Sequence, residues 1–268
     1  MDYDQINEIV ILPGTNRTGK KEGFEQIVIR TGDTLSIVGP TGSGKSAFIN
    51  DIEVLAQADT VTGRRILVNG APPSDDMVRD PAKKPIALIT QNTRVIADLN
   101  VSRFLDLHIK ARKKHYAQDL ISKTIELANE FTGEKLTESM SMTALSGGQA
   151  RALLIADAIL IGGTPILLLD EVENAGIFKE RVITCLKEFN KTVIFVTHDP
   201  YLALGTDRRI VMQNGAVVNV LEPCGREKNV MARVSGIDYF LWNLRERIRA
   251  GDLISEEHVV HRGIGVPV

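Results

Sequence analysis

The stretch Asp33–Leu55, DTLSIVGPTGSGKSAFINDIEVL, governs how the rest of the chain is read. It opens on apolar, branched residues that predict a strand. It then runs into a turn rich in glycine and leaves in a helix with Phe48, Ile52 and Leu55 on one face. The turn fits G-x-x-x-x-G-K-[ST], with the strand before it and the helix after it that this pattern requires. Glycine lets backbone N–H groups wrap phosphate oxygens, Lys45 can reach β- and γ-phosphates, and the Ser46 hydroxyl can ligate Mg2+. The candidate phosphate cradle is therefore Gly39, Pro40, Thr41, Gly42, Ser43, Gly44, Lys45, Ser46 and Ala47.

Such a loop also needs a carboxylate at the end of a nearby apolar strand to hold the metal's water shell. The segment ILLLDE supplies Asp170 there, and Glu171 follows where a second carboxylate would orient or deprotonate an attacking water. His198, in VIFVTHD, is another polar residue at the tip of a buried strand, and ligands sit at the carboxyl ends of strands in an open α/β sheet. A second anion signal lies in TALSGGQARALLIADAIL, Thr143–Leu160. Leu153, Leu154, Ala156 and Ile159 recur at helical spacing, yet that helix is entered through Ser146-Gly147-Gly148. Glycine in a forming helix costs about 1 kcal/mol relative to alanine. A phosphate would use that bare helix N-terminus, with its unpaired N–H groups and partial positive charge.

The remaining chain frames these motifs. Its 268 residues are 43% hydrophobic, enough for a sizeable core, and a net charge of −2 argues against nucleic acid as a partner. No apolar run reaches the ~18–20 residues of a membrane span. The acidic start MDYDQINEIV is unlike a secretory signal, and Cys185 and Cys224 make no disulfide framework, so a cytoplasmic protein is expected. Strands are expected at 8–12, 26–30, 86–90 and in RRILVNG, with APPSDD as a loop. Two helices are expected over 98–132, the first capped by Asn100, and a hairpin around Asn214-Gly215. Phe24 reads as core. A C-terminal helix carries Ile237, Phe240, Leu241, Leu244 and Ile248 on one side, a face expected to pack onto the main body. KARKKHY at 110–116 reads as a solvated basic helix end, and His108, His115, His258 and His261 receive no role.

In their order, these motifs resemble the ATP-binding-cassette (ABC) ATPase family: GPTGSGKS, then Gln91 in ALITQN, LSGGQ at 145–149, ILLLDE at 166–171 and His198. The resemblance covers roughly Glu8–Val220. It implies a mainly parallel P-loop NTPase core flanked by helices, with an N-terminal antiparallel β subdomain and an inserted α-helical subdomain at about 92–150. Residues 1–222 would form the ATPase domain and 223–268 a C-terminal helical extension. By the same resemblance, Lys45, Gln91, Glu171 and His198 are catalytic, and Ser46, Gln91 and Asp170 hold the metal. Ser146, Gly147, Gly148 and Gln149 then close over the γ-phosphate of ATP held by a second copy or a homologous subunit. Hydrolysis of Mg-ATP at such a head-to-tail interface would drive a partner, either a membrane permease, which would tether the subunit to the membrane, or a soluble client protein or metalloenzyme under assembly.

The sequence departs from the family in three places, the first being a phosphate loop that ends GKSA, with Ala47 where threonine is usual and Ser46 keeping the metal hydroxyl. No aromatic residue stands in TNRTGKKEG, upstream of the phosphate loop, to stack on adenine. After Asp170-Glu171 the usual Pro-Thr-Ser-Ala-Leu-Asp is replaced by VENAGI, with Ile177 or Phe178 where the aspartate would fall and Glu173 or Asn174 as substitutes.

Overall fold

The computed structural model describes residues 6–90, 93, 98–112, 119–172, 176–223 and 225–255. Strands β1 (Glu8–Leu12), β2 (Ile27–Arg30) and β4 (Arg65–Val68) form an antiparallel sheet in the order β2-β1-β4. A second, six-stranded sheet has the order β5-β6-β7-β3-β8-β9. Its strands are β3 (Thr34–Val38), β5 (Ile86–Thr90), β6 (Ile166–Asp170), β7 (Thr192–Val196), β8 (Arg208–Gln213) and β9 (Ala216–Leu221). All neighbours are parallel except β8 and β9, which form the expected hairpin. Asn214 and Gly215 both have positive φ, 52° and 84°, as a type I′ turn demands. The expected α/β core with an antiparallel sheet is what the chain forms.

The central strands are buried on both faces, and the period-2 alternation of their side chains divides the interior into two cores. Leu167, Leu169, Val193 and Phe195 point into one; Leu168, Ile194, Val196, Leu35 and Ile37 point into the other. The second core is closed by helix α1 (Lys45–Glu53) and the antiparallel sheet, and α2 (Asp75–Arg79) lies beyond β4 in sequence. The first core is closed by α3 (Val101–Ala111), α4 (Leu120–Phe131), α5 (Gly147–Leu160) and α6 (Lys179–Glu188). Side chains cap two of the helices: Asn100 Oδ1 accepts the Arg103 N–H at 2.8 Å at the start of α3, and Asp199 Oδ1 accepts the Leu202 N–H at 2.9 Å at the start of α7 (Pro200–Gly205), as Ser74 and Ser146 do for α2 and α5.

Three expectations need correction. APPSDD is not wholly loop: Ser74 caps α2 by accepting the Met77 N–H, and Asp75 and Asp76 in its first turn suit the positive end of the helix dipole. Phe24 is only half-buried at the edge of the second core. The C-terminal helix α8 spans Gly225–Ala250, starting well before the predicted stripe. It docks through Met231 and Val234, while Ile237, Leu241 and Ile248 stay exposed. Phe240 and Leu244 of the expected face are half-buried, so that face is covered only in part. Among the described residues no helix is long and apolar enough to cross a membrane.

Candidate active site

The register of the parallel sheet builds the site. Ile37 pairs with Val196, and Asp170 pairs with both Val196 and Thr90, so the carboxyl ends of β3, β5, β6 and β7 lie side by side. From these ends project the phosphate loop after Val38, the Asp170-Glu171 pair, and the turn carrying His198. Gln91 follows Thr90 directly in sequence but lies outside the described residues, as do Glu173 and Asn174.

The loop's shape follows from its glycines. Gly39 has φ 154°, and a Cβ there would sit 2.3 Å from the Met212 carbonyl oxygen and 2.8 Å from Ser43 Oγ. Gly44, at φ 101°, is the N-cap of α1, and a Cβ on it would meet Gly215 Cα at 2.8 Å. The loop is therefore wedged against the β8–β9 hairpin, and Gly215 N–H donates to the Ser43 carbonyl at 2.8 Å. Lys45 is buried, its Nζ donating to the carbonyls of Gly39 (2.9 Å) and Pro40 (3.2 Å), across the mouth of the loop. Among the described residues the buried Ser43 Oγ has no hydrogen-bond partner, and Thr41, Gly42 and Ser46 are exposed. An orphaned hydroxyl one residue before the N-cap of a helix is suited to accept from and donate to an anion.

Glu171 occupies the left-handed region at φ 50°, a conformation that costs a non-glycine residue about 1–3 kcal/mol. The turn is held by its N–H, which donates to the Val196 carbonyl at 2.9 Å. Oε1 lies 3.5 Å from His198 Nε2, so the acid and the histidine come together although 27 residues separate them in sequence. Both side chains are partly solvent-exposed, open to a water from the outside.

The signature segment lies elsewhere. Ser146 caps α5 through a capping box: its Oγ accepts the Gln149 N–H at 3.2 Å, and Gln149 Oε1 accepts the Ser146 N–H at 3.0 Å. Gln149 also donates to the Lys135 carbonyl at 3.2 Å, so this side chain is engaged inward and orients the turn. The Ser146 O–H and the exposed Gly147 remain at the helix tip. α5 belongs to the first core and α1 to the second. The two phosphate-type motifs therefore lie in different layers, on opposite faces of the sheet.

Two sets of residues had not been singled out from the sequence. Arg64 is fully buried beneath the phosphate loop and stacks over the Phe48 ring of α1 at 4.8 Å. It donates to Glu22 Oε2 (2.8 Å) and Oε1 (2.7 Å), to Asp51 Oδ2 (2.9 Å), and to the Gly215 carbonyl (2.9 Å). Glu22 in turn accepts the Gly14 and Val217 N–H groups, at 3.0 and 2.8 Å. Burial pushes the Glu22 carboxyl upward, but the guanidinium and these two N–H donors outweigh it and hold the group below its ordinary value. Strand alternation places Arg64 on the inward face with Ile66 and Val68, and an arginine in that register was the available signal. The second set surrounds Lys179, which pairs with Asp199, the neighbour of His198, and with Asp238 of α8 at 2.8 Å.

A strand–glycine loop–helix beside an acidic strand end, on a mainly parallel sheet, defines a P-loop nucleoside triphosphatase. A family model described as ABC transporter matches residues 26–174. The chain is 44% identical over 255 residues to an uncharacterised ABC transporter ATP-binding protein, MJ0121, of Methanocaldococcus jannaschii, covering 95% of this chain and 97% of that one. It is 30% identical over 198 residues to the thiamine import ATP-binding protein ThiQ of Brucella suis, covering 71% and 78%. The solved structure of the ATP-binding cassette MJ0796, a dimer in a post-hydrolysis state bound to ADP and Pi, superposes with a TM-score of 0.63 at 25% identity, over 81% of this chain and 99% of that one. The chain belongs to the ABC transporter family and is an ATP-binding, ATP-hydrolysing cassette.

Proposed function

We propose that the protein is the ATP-binding subunit of a membrane transporter, and that it hydrolyses Mg-ATP between two copies packed head to tail. One observation carries this reading: the phosphate loop and the signature turn lie in different layers of one chain, so the Ser146 tip is available to nucleotide held by a second chain. Backbone N–H groups of residues 39–47 and Lys45 would hold the phosphates. Ser46 and Asp170 form an oxygen-only donor pair, the set that suits Mg2+ bound chiefly through phosphates. The metal would neutralise charge on the β- and γ-phosphoryl oxygens.

Glu171 is then positioned to orient and deprotonate water, with His198 beside it contacting the terminal phosphoryl oxygens. Ser146, Gly147 and Gly148 would close from the other copy, so each nucleotide adds binding energy to the interface and hydrolysis removes it. Gln91 would couple the site to the helical layer and to a docked permease. The transporter reading is supported by relatives whose names assign them to import systems for thiamine and for sulfate or thiosulfate.

The direct test is phosphate release from Mg-ATP by the purified protein. Lys45→Ala and Glu171→Gln should each abolish turnover, Glu171→Gln while still binding ATP; turnover at the unaltered rate in either refutes the assignment. Affinity capture of the Glu171→Gln chain with its native partners identifies the load. Recovery of a polytopic membrane protein supports the transporter, whereas recovery of a soluble assembly factor alone refutes it.

A further inference from the structure

We propose that Lys179 is a positioning residue for ATP hydrolysis: it fixes the turn that carries His198 by gripping Asp199, and Asp238 of α8 completes the grip from the C-terminal helix. This role rests on the reading of His198 as a contact to the terminal phosphoryl group. On one side of the histidine the backbone is pinned by the sheet. Thr197 is fully buried, and its N–H donates to the Ile37 carbonyl of β3 at 3.2 Å. On the other side the anchor is Asp199. Its N–H donates to Thr197 Oγ1 at 2.9 Å, its Oδ1 caps α7, and its Oδ2 accepts from the Lys179 ammonium.

Lys179 reaches this place because of where α6 begins. It is the first residue of that helix and stands eight residues after Glu171 in sequence, so one side chain joins the start of α6 to the residue after His198. The side chains of Lys179 and Asp199 are only 21% and 11% exposed, so little water screens the pair. Burial pulls the ammonium's value down, but its hydrogen bonds to Asp199 and Asp238 outweigh this and hold it above the ordinary lysine value. The lysine is therefore charged at neutral pH. An ammonium has three donors, enough to serve both carboxylates together.

α8 contributes a whole face to the same region. Glu227, Met231, Ser235 and Asp238 recur at a spacing of four, four and three, which is one side of a helix. Glu227 Oε2 pairs with Arg209 of β8 at 3.0 Å, and Arg209 Nε donates to the Ala203 carbonyl of α7 at 3.2 Å. Met231 lies against the end of α7, where a Cβ on Gly205 would meet its Cε at 3.0 Å. Ser235 donates to Glu180 Oε1 at 2.8 Å, and Asp238 accepts from Lys179 at 2.8 Å. A helix of six residues has little stability of its own, so α7 lies where its neighbours hold it. Lys179 holds its N-terminal end through Asp199, and α8 holds its C-terminal end. Asp238, Lys179, Asp199 and His198 thus form an unbroken line of contacts and chain neighbours, which makes α8 part of the scaffold of the ATP site.

Hydrolysis of Mg-ATP by the full chain tests this role. Lys179→Met should lower kcat by roughly ten- to a hundredfold while KM for ATP stays within about twofold, because the phosphate loop is untouched. Lys179→Arg keeps the charge and the donors and should recover most of the parent kcat. Asp238→Asn leaves the Lys179–Asp199 pair in place, so it tests the α8 contact without endangering the fold; it should lower kcat by about threefold or more. The effect has to pass through the histidine. In a His198→Ala background, read in single turnover with excess protein, Lys179→Met should bring no further loss. A parent-like kcat in Lys179→Met or in Asp238→Asn overturns the inference, as does a loss that Lys179→Arg fails to recover or one that adds in full to that of His198→Ala. Parent-like turnover in His198→Ala overturns the histidine's assignment and this inference with it, whereas loss there beside a parent-like Lys179→Met overturns this inference alone.

Discussion

Glu171 shows most directly how this fold positions chemistry. A glutamate at φ 50° is held there because its N–H must pair with Val196 and its neighbours on β6 and β7 are buried on both sides. The strain is local and the surrounding sheet maintains it. Arg64 is the second decisive residue. Two buried carboxylates and one guanidinium meet under the loop that cradles phosphate, and removing the cation alone leaves both acids without compensation. Arg64→Met should therefore destabilise the protein by about 3–5 kcal/mol, read as a lowered urea midpoint. Adding Glu22→Gln should cost less than the sum of the two single changes, because both act on one network.

Glu22 also sets a pH dependence. Its folded-state value lies below the unfolded one, so its stabilising contribution is complete above the unfolded carboxyl value of about 4.3 and fades as pH falls through the lower folded value. The stability gap between the parent and Glu22→Gln should accordingly be constant near neutrality and narrow in acid, measured by urea midpoints between neutral and acidic pH. A gap that widens on acidification would contradict the pairing with Arg64.

Among the elements, α5 unites two roles at one residue. Ser146 caps the helix and, under the proposed mechanism, offers its hydroxyl to the γ-phosphate of the opposite copy. These roles separate by substitution. Ser146→Ala should lose about 1 kcal/mol of stability together with ATP turnover. Ser146→Asp restores the cap and hence the melting temperature, but places negative charge against a phosphate, so turnover stays lost. Recovery of turnover in Ser146→Asp would remove the serine from the site. The same helix explains why glycines are tolerated at its head: Gly148 is buried and Gly147 exposed, and the capping box with Gln149 offsets the entropy they cost.

At the scale of the whole molecule, the proposed function needs two copies of these parts. Under the proposed mechanism, each ATP links the phosphate loop of one copy to the signature turn of the other. Glu171→Gln should migrate as a monomer in gel filtration without ATP and as a dimer with Mg-ATP. A monomer under both conditions would count against closure over shared nucleotide. The altered segment after Glu171 bears on the same interface: Ile177 is buried and Phe178 half-exposed, with the Phe178 N–H donating to the Phe131 carbonyl at 2.8 Å. These two residues tie the main chain of the region to α4.

Local patterns were enough for much of this protein. The phosphate loop, the acidic strand end, His198, the two-residue hairpin and the alternation of strands and helices all follow from chemistry confined to a few adjacent residues, whose spacing is visible in one dimension; the strand order β5-β6-β7-β3-β8-β9 is a property of the folded chain. The partnership of Glu22, Asp51 and Arg64 was not visible that way, because charges distant in sequence pair only after two sheets close over them. Nor was the true docking side of α8. A helix shows its apolar residues in the sequence, but which of them find a surface depends on where α6 and α7 place Lys179 and Gly205, and that is settled by packing.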